Sequence, residues 1–221
     1  MLFKKAVIDL YEVKQKGLLW DRVQRRARSS ERVLQEALQS PHNLSALRLA
    51  DRHVHWVGRE FKSADFFGID ANWNLIVVET KISSQQKHLA SQLRRRVSDF
   101  LGKPFAKVDE KIWRYIKSGK HDEHLMAEGT NLKKQLDKGN LQGPKDVEII
   151  LKARIGKKRP AKVGRVRFVA VVPILRPKFA QQLQKLQFDL KRGGKSPVVF
   201  SCVLVTPYFN NKSIAVAHIQ F

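Results

Sequence analysis

The stretch at residues 63–82, SADFFGIDANWNLIVVETKI, restricts the possible fold more than any other part of the chain. Apolar runs at 66–69 and 75–78 flank Asp70-Ala71-Asn72-Trp73-Asn74, the pattern of a β-hairpin around a polar turn. Cross-strand partners in an antiparallel hairpin have residue numbers with a constant sum. A turn centred on Asn72 makes that sum 144 and sets Asp65 opposite Glu79. Side chains alternate along a strand, so Glu79 and Lys81 share a face with Leu75 and Val77. Two carboxylates and an ammonium therefore meet at one spot, although burying unpaired charge costs on the order of several kcal/mol. Asp70 is excluded from that cluster. It pairs with Asn74 at the turn, five residues along the strand from Glu79. At ~3.3 Å per residue this is roughly 16 Å away, which makes Asp70 a turn former.

The partner is indicated by charge. Among 221 residues, 43 Lys and Arg stand against 20 Asp and Glu, a formal net charge of +23. A field of that sign favours a polyanion, nucleic acid first and an anionic membrane surface second. Apolar residues make up 43% of the chain, enough for a folded core and too many for a disordered one. Cys202 is the single cysteine, which excludes an intramolecular disulfide and a cysteine-based zinc site. Set in the apolar run PVVFSCVLV, it reads as a buried, inert thiol. No run approaches the roughly 20 apolar residues of a membrane span. The start MLFKKAVIDLYEVK, with Asp9 and Glu12, argues against a secretory signal or transit peptide. A cytoplasmic protein with no membrane partner is the expectation.

Taken in order, residues 1–40 read as helical in one or two pieces, with 1–28 an N-terminal helical extension. Ser30 would cap a helix at 31–38 with Leu34 and Leu38 on its core face. Glu31 lies beside that face: it either turns toward whatever the helix packs on or, as a first-turn glutamate, favours the helix dipole. Residues 47–61 read as a strand whose polar face carries His53 and His55; with no third ligand at tight spacing, a solvated face outweighs a metal pair. Residues 85–101 form a helix with Leu89, Leu93, Val97 and Phe100 in a stripe, and Gln92 and Arg96 on an edge facing the preceding strand. The run Arg94, Arg95 and Arg96 is read as meeting phosphate.

Residues 103–162 read as a basic, mostly helical insertion ending in a mobile loop, GKKRPAKVGR, that offers Lys157, Lys158 and Arg159 to DNA. Within it, His121 and His124 are three apart, but Asp122 and Glu123 make the segment look like ordinary surface. Residues 166–173 suit a strand buried on both faces, 178–190 a helix, and 198–205 with 214–221 a pair of strands. The core thus divides into a first part at 29–102 and a completing part at 163–221.

Asp65 and Glu79 make an oxygen-rich site of the kind Mg²⁺ prefers, with Mn²⁺ as a substitute and the Thr80 carbonyl as an extra ligand. Lys81 beside it can hold the attacking water and offset charge in the transition state. Glu31, if its helix packs there, adds a carboxylate for the metal, and Gln92 and Arg96 would steady the scissile phosphate or the nucleophile. This chemistry is phosphodiester hydrolysis.

These residues carry a resemblance. Asp65 followed fourteen residues later by Glu79-Thr80-Lys81 resembles the core motif of the PD-(D/E)xK nuclease superfamily, and SADFFGIDANWNLIVVETK is similar to its NucS-like and RecB-like branch. That branch has Gln-x-x-x-Tyr on the helix after the Lys strand. Gln92 matches the glutamine, while Arg96 stands at the tyrosine position and Ala64 at the proline of the motif's name. The upstream helix of the family brings a glutamate, which Glu31 would match. The resemblance covers residues 29–101. It implies a restriction-endonuclease-like α/β fold with an αβββαβ core, its central mixed sheet flanked by helices and here interrupted by a helical insertion. It also implies a metal-dependent deoxyribonuclease of restriction, repair, junction or transposition type. The alternative is a non-catalytic nucleic-acid-binding protein or a subunit of a larger DNA-processing complex. Cutting both strands of a duplex would call for a homodimer or a partner subunit.

Overall fold

The computed structural model describes residues 2–9, 35, 53–62, 64–81, 89–172, 177–190, 198–207 and 213–220. Seven strands are found among them: β1 (Leu2–Asp9), β2 (Val54–Phe61), β3 (Ala64–Asp70), β4 (Leu75–Thr80), β5 (Val166–Val172), β6 (Val198–Pro207) and β7 (Ser213–Gln220). The helices are α1 (Leu89–Phe100), α2 (Phe105–Lys117), α3 (Ala127–Asp137), α4 (Pro144–Ile155) and α5 (Pro177–Leu190), with a 3₁₀ turn at Asp122–His124. All strands join one mixed sheet in the order β1-β7-β6-β5-β4-β3-β2, so the protein is α/β with helices flanking a mixed sheet.

The hairpin takes the register its sequence predicts. Phe66 pairs with Val78, Phe67 with Val77, Gly68 with Ile76 and Ile69 with Leu75, each pair summing to 144. Asp70 closes the turn. Its Oδ1 accepts the backbone N–H groups of Asn72 at 2.8 Å and Asn74 at 2.9 Å, and its Oδ2 accepts the Asn74 side-chain amide at 2.8 Å. Trp73 takes a left-handed backbone at φ 62°, uncommon for a large residue. The strain is offset by burial of the indole, whose N–H donates to the Lys157 carbonyl and whose ring packs edge-on against Phe105. β4 runs parallel to β5, and β5 parallel to β6, which requires the long crossovers that α1 with the insertion and α5 provide. As expected of such strands, β4 is buried throughout and β5 nearly so. Phe67, Ile69, Leu75 and Val77 share one core with Leu93 and Phe100 of α1, Phe168 of β5 and Leu183 of α5.

Residues 2–9 correct one expectation. They form an edge strand antiparallel to β7, from Leu2 opposite Gln220 to Asp9 opposite Ser213, where the sequence suggested helix. Pairing with the backbone edge of β7 outweighs local helix preference, since strand formation depends mainly on the partner. Of the helix expected at 31–38 only Gln35 is described, and it is helical; Glu31 lies outside the described residues.

The insertion is helical, as predicted, but its closing basic loop is pinned. Phe105 donates to the Ala161 carbonyl at 3.0 Å and Val163 to that of Lys103 at 2.9 Å, while Pro104 and Lys162 form a β-bridge. α3 lies directly against β2: Met126 N–H donates to the Val57 carbonyl, and Gly129 sits so close that a Cβ there would overlap that same oxygen. Because the obstacle is backbone on both sides, Gly129→Ala is expected to destabilise the protein by about 2 kcal/mol in urea unfolding. A change within about 0.5 kcal/mol would show that the two elements separate freely.

Candidate active site

The site forms where β3 begins and β4 ends. Continuing the hairpin register by one pair sets Asp65 opposite Glu79. Glu79 is 2% exposed, and Thr80 and Lys81 beside it are also buried. Asp65, half-buried, reaches past its opposite residue: its Oδ2 accepts both the Thr80 backbone N–H at 2.6 Å and the Thr80 hydroxyl at 2.7 Å. These bonds lock the carboxylate against the end of β4 and leave Oδ1 outside them. Thr80 is thus a brace for Asp65, a role its sequence position did not suggest.

Glu79 meets two cations. Arg96 of α1 donates Nε to Oε1 at 2.9 Å, and the Lys81 ammonium lies 4.0 Å from Oε2. Arg96 also donates Nη1 to the Lys62 carbonyl, so it ties α1 to the β2–β3 turn while holding Glu79. Lys62 itself has a left-handed backbone at φ 51°, which aims that carbonyl. Gln92, one turn earlier on α1, has a buried Oε1 with no hydrogen-bond partner among the described residues. The edge of α1 that the 85–101 pattern turned toward the sheet does face it, but Arg96, read as a phosphate contact, is paired with Glu79 and the Lys62 carbonyl.

The other expected contacts divide. Arg95 is exposed on α1, and nothing is described of the Arg94 side chain. Lys158 is exposed, and the exposed Lys157 ammonium binds the Asn72 side-chain carbonyl at 2.8 Å. Arg159 is a correction. Its side chain is 7% exposed and its guanidinium pairs with Asp109 at 2.6 Å and Glu148 at 3.0 Å, above the rings of Trp73 and Phe105. It fastens the insertion to the hairpin turn, and the cation read as a DNA contact is spent inside the protein.

Burial, and then the neighbouring Asp65 carboxylate, push the Glu79 carboxyl up to about 7, against the pull of Arg96 and Lys81. The folded protein therefore holds this proton to about pH 7, whereas an ordinary glutamate releases it near 4.5. Glu79's contribution to stability is full below about 4.5 and is lost as pH rises through about 7. Glu79→Gln cannot ionise, so in metal-free urea unfolding it is expected to gain about 2 kcal/mol relative to the wild type between about pH 5 and pH 8. Asp109, raised to about 6 chiefly by burial, titrates alike in both proteins and cancels from the difference. Parallel stability curves would contradict the assignment.

A cation suits this arrangement. Two carboxylates stand together, one of them dry and held protonated toward neutral pH by burial and by the charge of the other, and Oδ1 of Asp65 is left outside the Thr80 bonds. Asp65 and Glu79 could hold a hard divalent ion, with Lys81 beside them.

A different group of possible ligands was missed. Glu60 at the end of β2, His121 and His124 bring three potential metal-binding atoms within 4.8 Å of one another. The histidine spacing was visible in the sequence, but the carboxylate lies about sixty residues earlier and only the fold delivers it. No helix among the described residues is long and apolar enough to cross a membrane. No family model, curated protein or solved structure matches the chain.

Proposed function

We propose that the chain is a Mg²⁺-dependent DNA endonuclease of the restriction-endonuclease-like, PD-(D/E)xK type. The observation that carries this reading is the buried Glu79 set beside Asp65, with the Lys81 ammonium 4.0 Å from its carboxylate. The strand sequence supports it too: three antiparallel strands, a helix and, after the helical insertion, a strand parallel to the third follow the βββαβ part of the αβββαβ order.

Asp65 and Glu79 would hold Mg²⁺, with Glu31 and the Thr80 carbonyl as further ligands. Bound there, the ion supplies a Lewis acid toward a phosphate oxygen. Lys81 carries its ammonium beside the carboxylates, where it orients the attacking water and offsets charge as the phosphate becomes more negative. Thr80 keeps Asp65 from swinging away. Gln92 has an unsatisfied amide oxygen that would accept from the water. The net charge of +23 holds the polyanion, and the exposed Lys158 on the insertion belongs to that field. Cutting both strands would need two copies or a partner subunit.

One observation favours the second reading, a nucleic-acid-binding protein without catalysis. The Arg96 guanidinium already meets Glu79 at 2.9 Å, a cation standing where the family pattern has tyrosine. A panel of single-stranded, duplex and branched DNA, incubated with Mg²⁺ or Mn²⁺ and in parallel with EDTA, separates the two. Metal-dependent cutting of any form supports the nuclease; binding without cutting in every lane supports the alternative.

A further inference from the structure

We propose that Glu60, His121 and His124 form a binding site for a transition-metal ion of the Zn²⁺ class, which clamps the helical insertion onto the end of β2. The three side chains come from two places that have no other reason to share ligands. Glu60 is the next-to-last residue of β2, His121 precedes the 3₁₀ turn between α2 and α3, and His124 ends that turn. Their potential ligand atoms all lie within 4.8 Å of one another. In a tetrahedral site, ligands about 2.0–2.1 Å from the ion lie somewhat closer together than that, and rotation of the half-exposed Glu60 side chain closes the difference.

His124 turns one ring nitrogen toward the acids. Its Nε2 faces two carboxylates, Glu60 at 3.8 Å and Glu123 at 3.3 Å, while its Nδ1 is buried with no hydrogen-bond partner among the described residues. Nε2 is thus the nitrogen that an ion shared with Glu60 would take. His121 is held in place from behind: it stacks on Tyr115 at 4.9 Å and 11°, and the Tyr115 hydroxyl donates to the Arg59 carbonyl at 2.6 Å. The ring therefore rests on a tyrosine that is tied to the residue next to Glu60.

The donor set decides the ion. Two imidazoles and one carboxylate suit Zn²⁺ or its Co²⁺ and Ni²⁺ neighbours, with water in the fourth position, and suit Mg²⁺ poorly. This separates the site from the all-oxygen pair Asp65 and Glu79. Glu60 also takes a left-handed backbone at φ 54°, strained for a glutamate, which turns its side chain off the regular strand. Two residues later the Lys62 carbonyl anchors Arg96, so the ion clamps the insertion to the same strand end that braces the candidate active site.

The test is Zn²⁺ binding by the full chain, purified with chelator and then dialysed against Zn²⁺, with bound metal counted by elemental analysis. The wild type is expected to hold one Zn²⁺ per chain and, loaded with Co²⁺, to show the visible absorption of a tetrahedral ion. His124→Ala and Glu60→Gln are expected to weaken binding by about 100-fold or more, since loss of even an outer partner costs up to about that much. Glu79→Gln is expected to keep the same zinc stoichiometry. Glu60→Gln changes a half-exposed side chain, so its folded state, verified by circular dichroism, guards against reading misfolding as lost binding. Zinc retained by both ligand variants, zinc lost in Glu79→Gln, or no zinc on the wild type would each overturn the proposal. The readout is bound metal, so it stands or falls apart from any result on DNA cleavage.

Discussion

Lys81→Ala is expected to lower Mg²⁺-dependent DNA cleavage by about 10²- to 10³-fold or more, with DNA affinity changed less than about threefold. The reason lies in where the ammonium sits. It is buried beside Glu79, 4.0 Å from Oε2, so it takes little part in the long-range attraction of the backbone polyanion. Its charge acts only on what enters the site, and there low solvent access makes it strong. Glu79→Gln is expected to fall as far by a different route, through loss of a metal ligand. The two variants should separate under titration with Mn²⁺: excess metal recovers part of the activity of Glu79→Gln and none of Lys81→Ala. Single-turnover cleavage alongside a binding isotherm measures both quantities, and a loss of affinity that matches the loss of rate would move Lys81 from chemistry to binding.

Arg159→Ala is expected to be the most destabilising of the substitutions considered, at about 3–5 kcal/mol. Asp109 is 3% exposed at its side chain, and burial pushes its carboxyl up to about 6 even with the guanidinium 2.6 Å away. Removing Arg159 leaves that carboxylate dry and unpaired by it, and also uncovers Trp73 and Phe105. The double variant Arg159→Met, Asp109→Asn should recover part of the loss, because no buried charge is stranded. Urea unfolding of the three proteins measures this. A single variant within about 1 kcal/mol of the wild type would return Arg159 to the solvent-facing role its sequence suggested.

The difference between those two arginines, 96 and 159, shows what a sequence can disclose. Arg96 is seventeen residues from Glu79, on the next described element after its strand, and period-two and period-3.6 patterning bring it to the edge facing the strand. The Asp65 register was legible for the same reason, since a local turn with Asp70 at its corner fixes every pair in the hairpin. Arg159 meets Asp109 fifty residues earlier and Trp73 beyond that, so a basic run looked like a surface loop until the insertion folded back. Residues 2–9 failed on similar grounds, for their partner β7 closes the sheet from the other end of the chain. Glu60 with His121 and His124, and the contact of Gly129 with Val57, likewise depend on how the insertion docks against β2. Local pattern thus reached the candidate active site, and missed what the insertion does.

The proposed function makes Asp65, Glu79 and Lys81 act together in phosphodiester hydrolysis with a divalent ion. The measurement that tests it most directly is cleavage of end-labelled DNA by the purified wild type and by Lys81→Ala, side by side in Mg²⁺ at protein concentrations that saturate binding. Cutting by the wild type that disappears in EDTA and in the variant is the predicted result. Equal cutting by the two proteins would remove Lys81 from the chemistry, and intact DNA in both although both bind it would remove the nuclease activity.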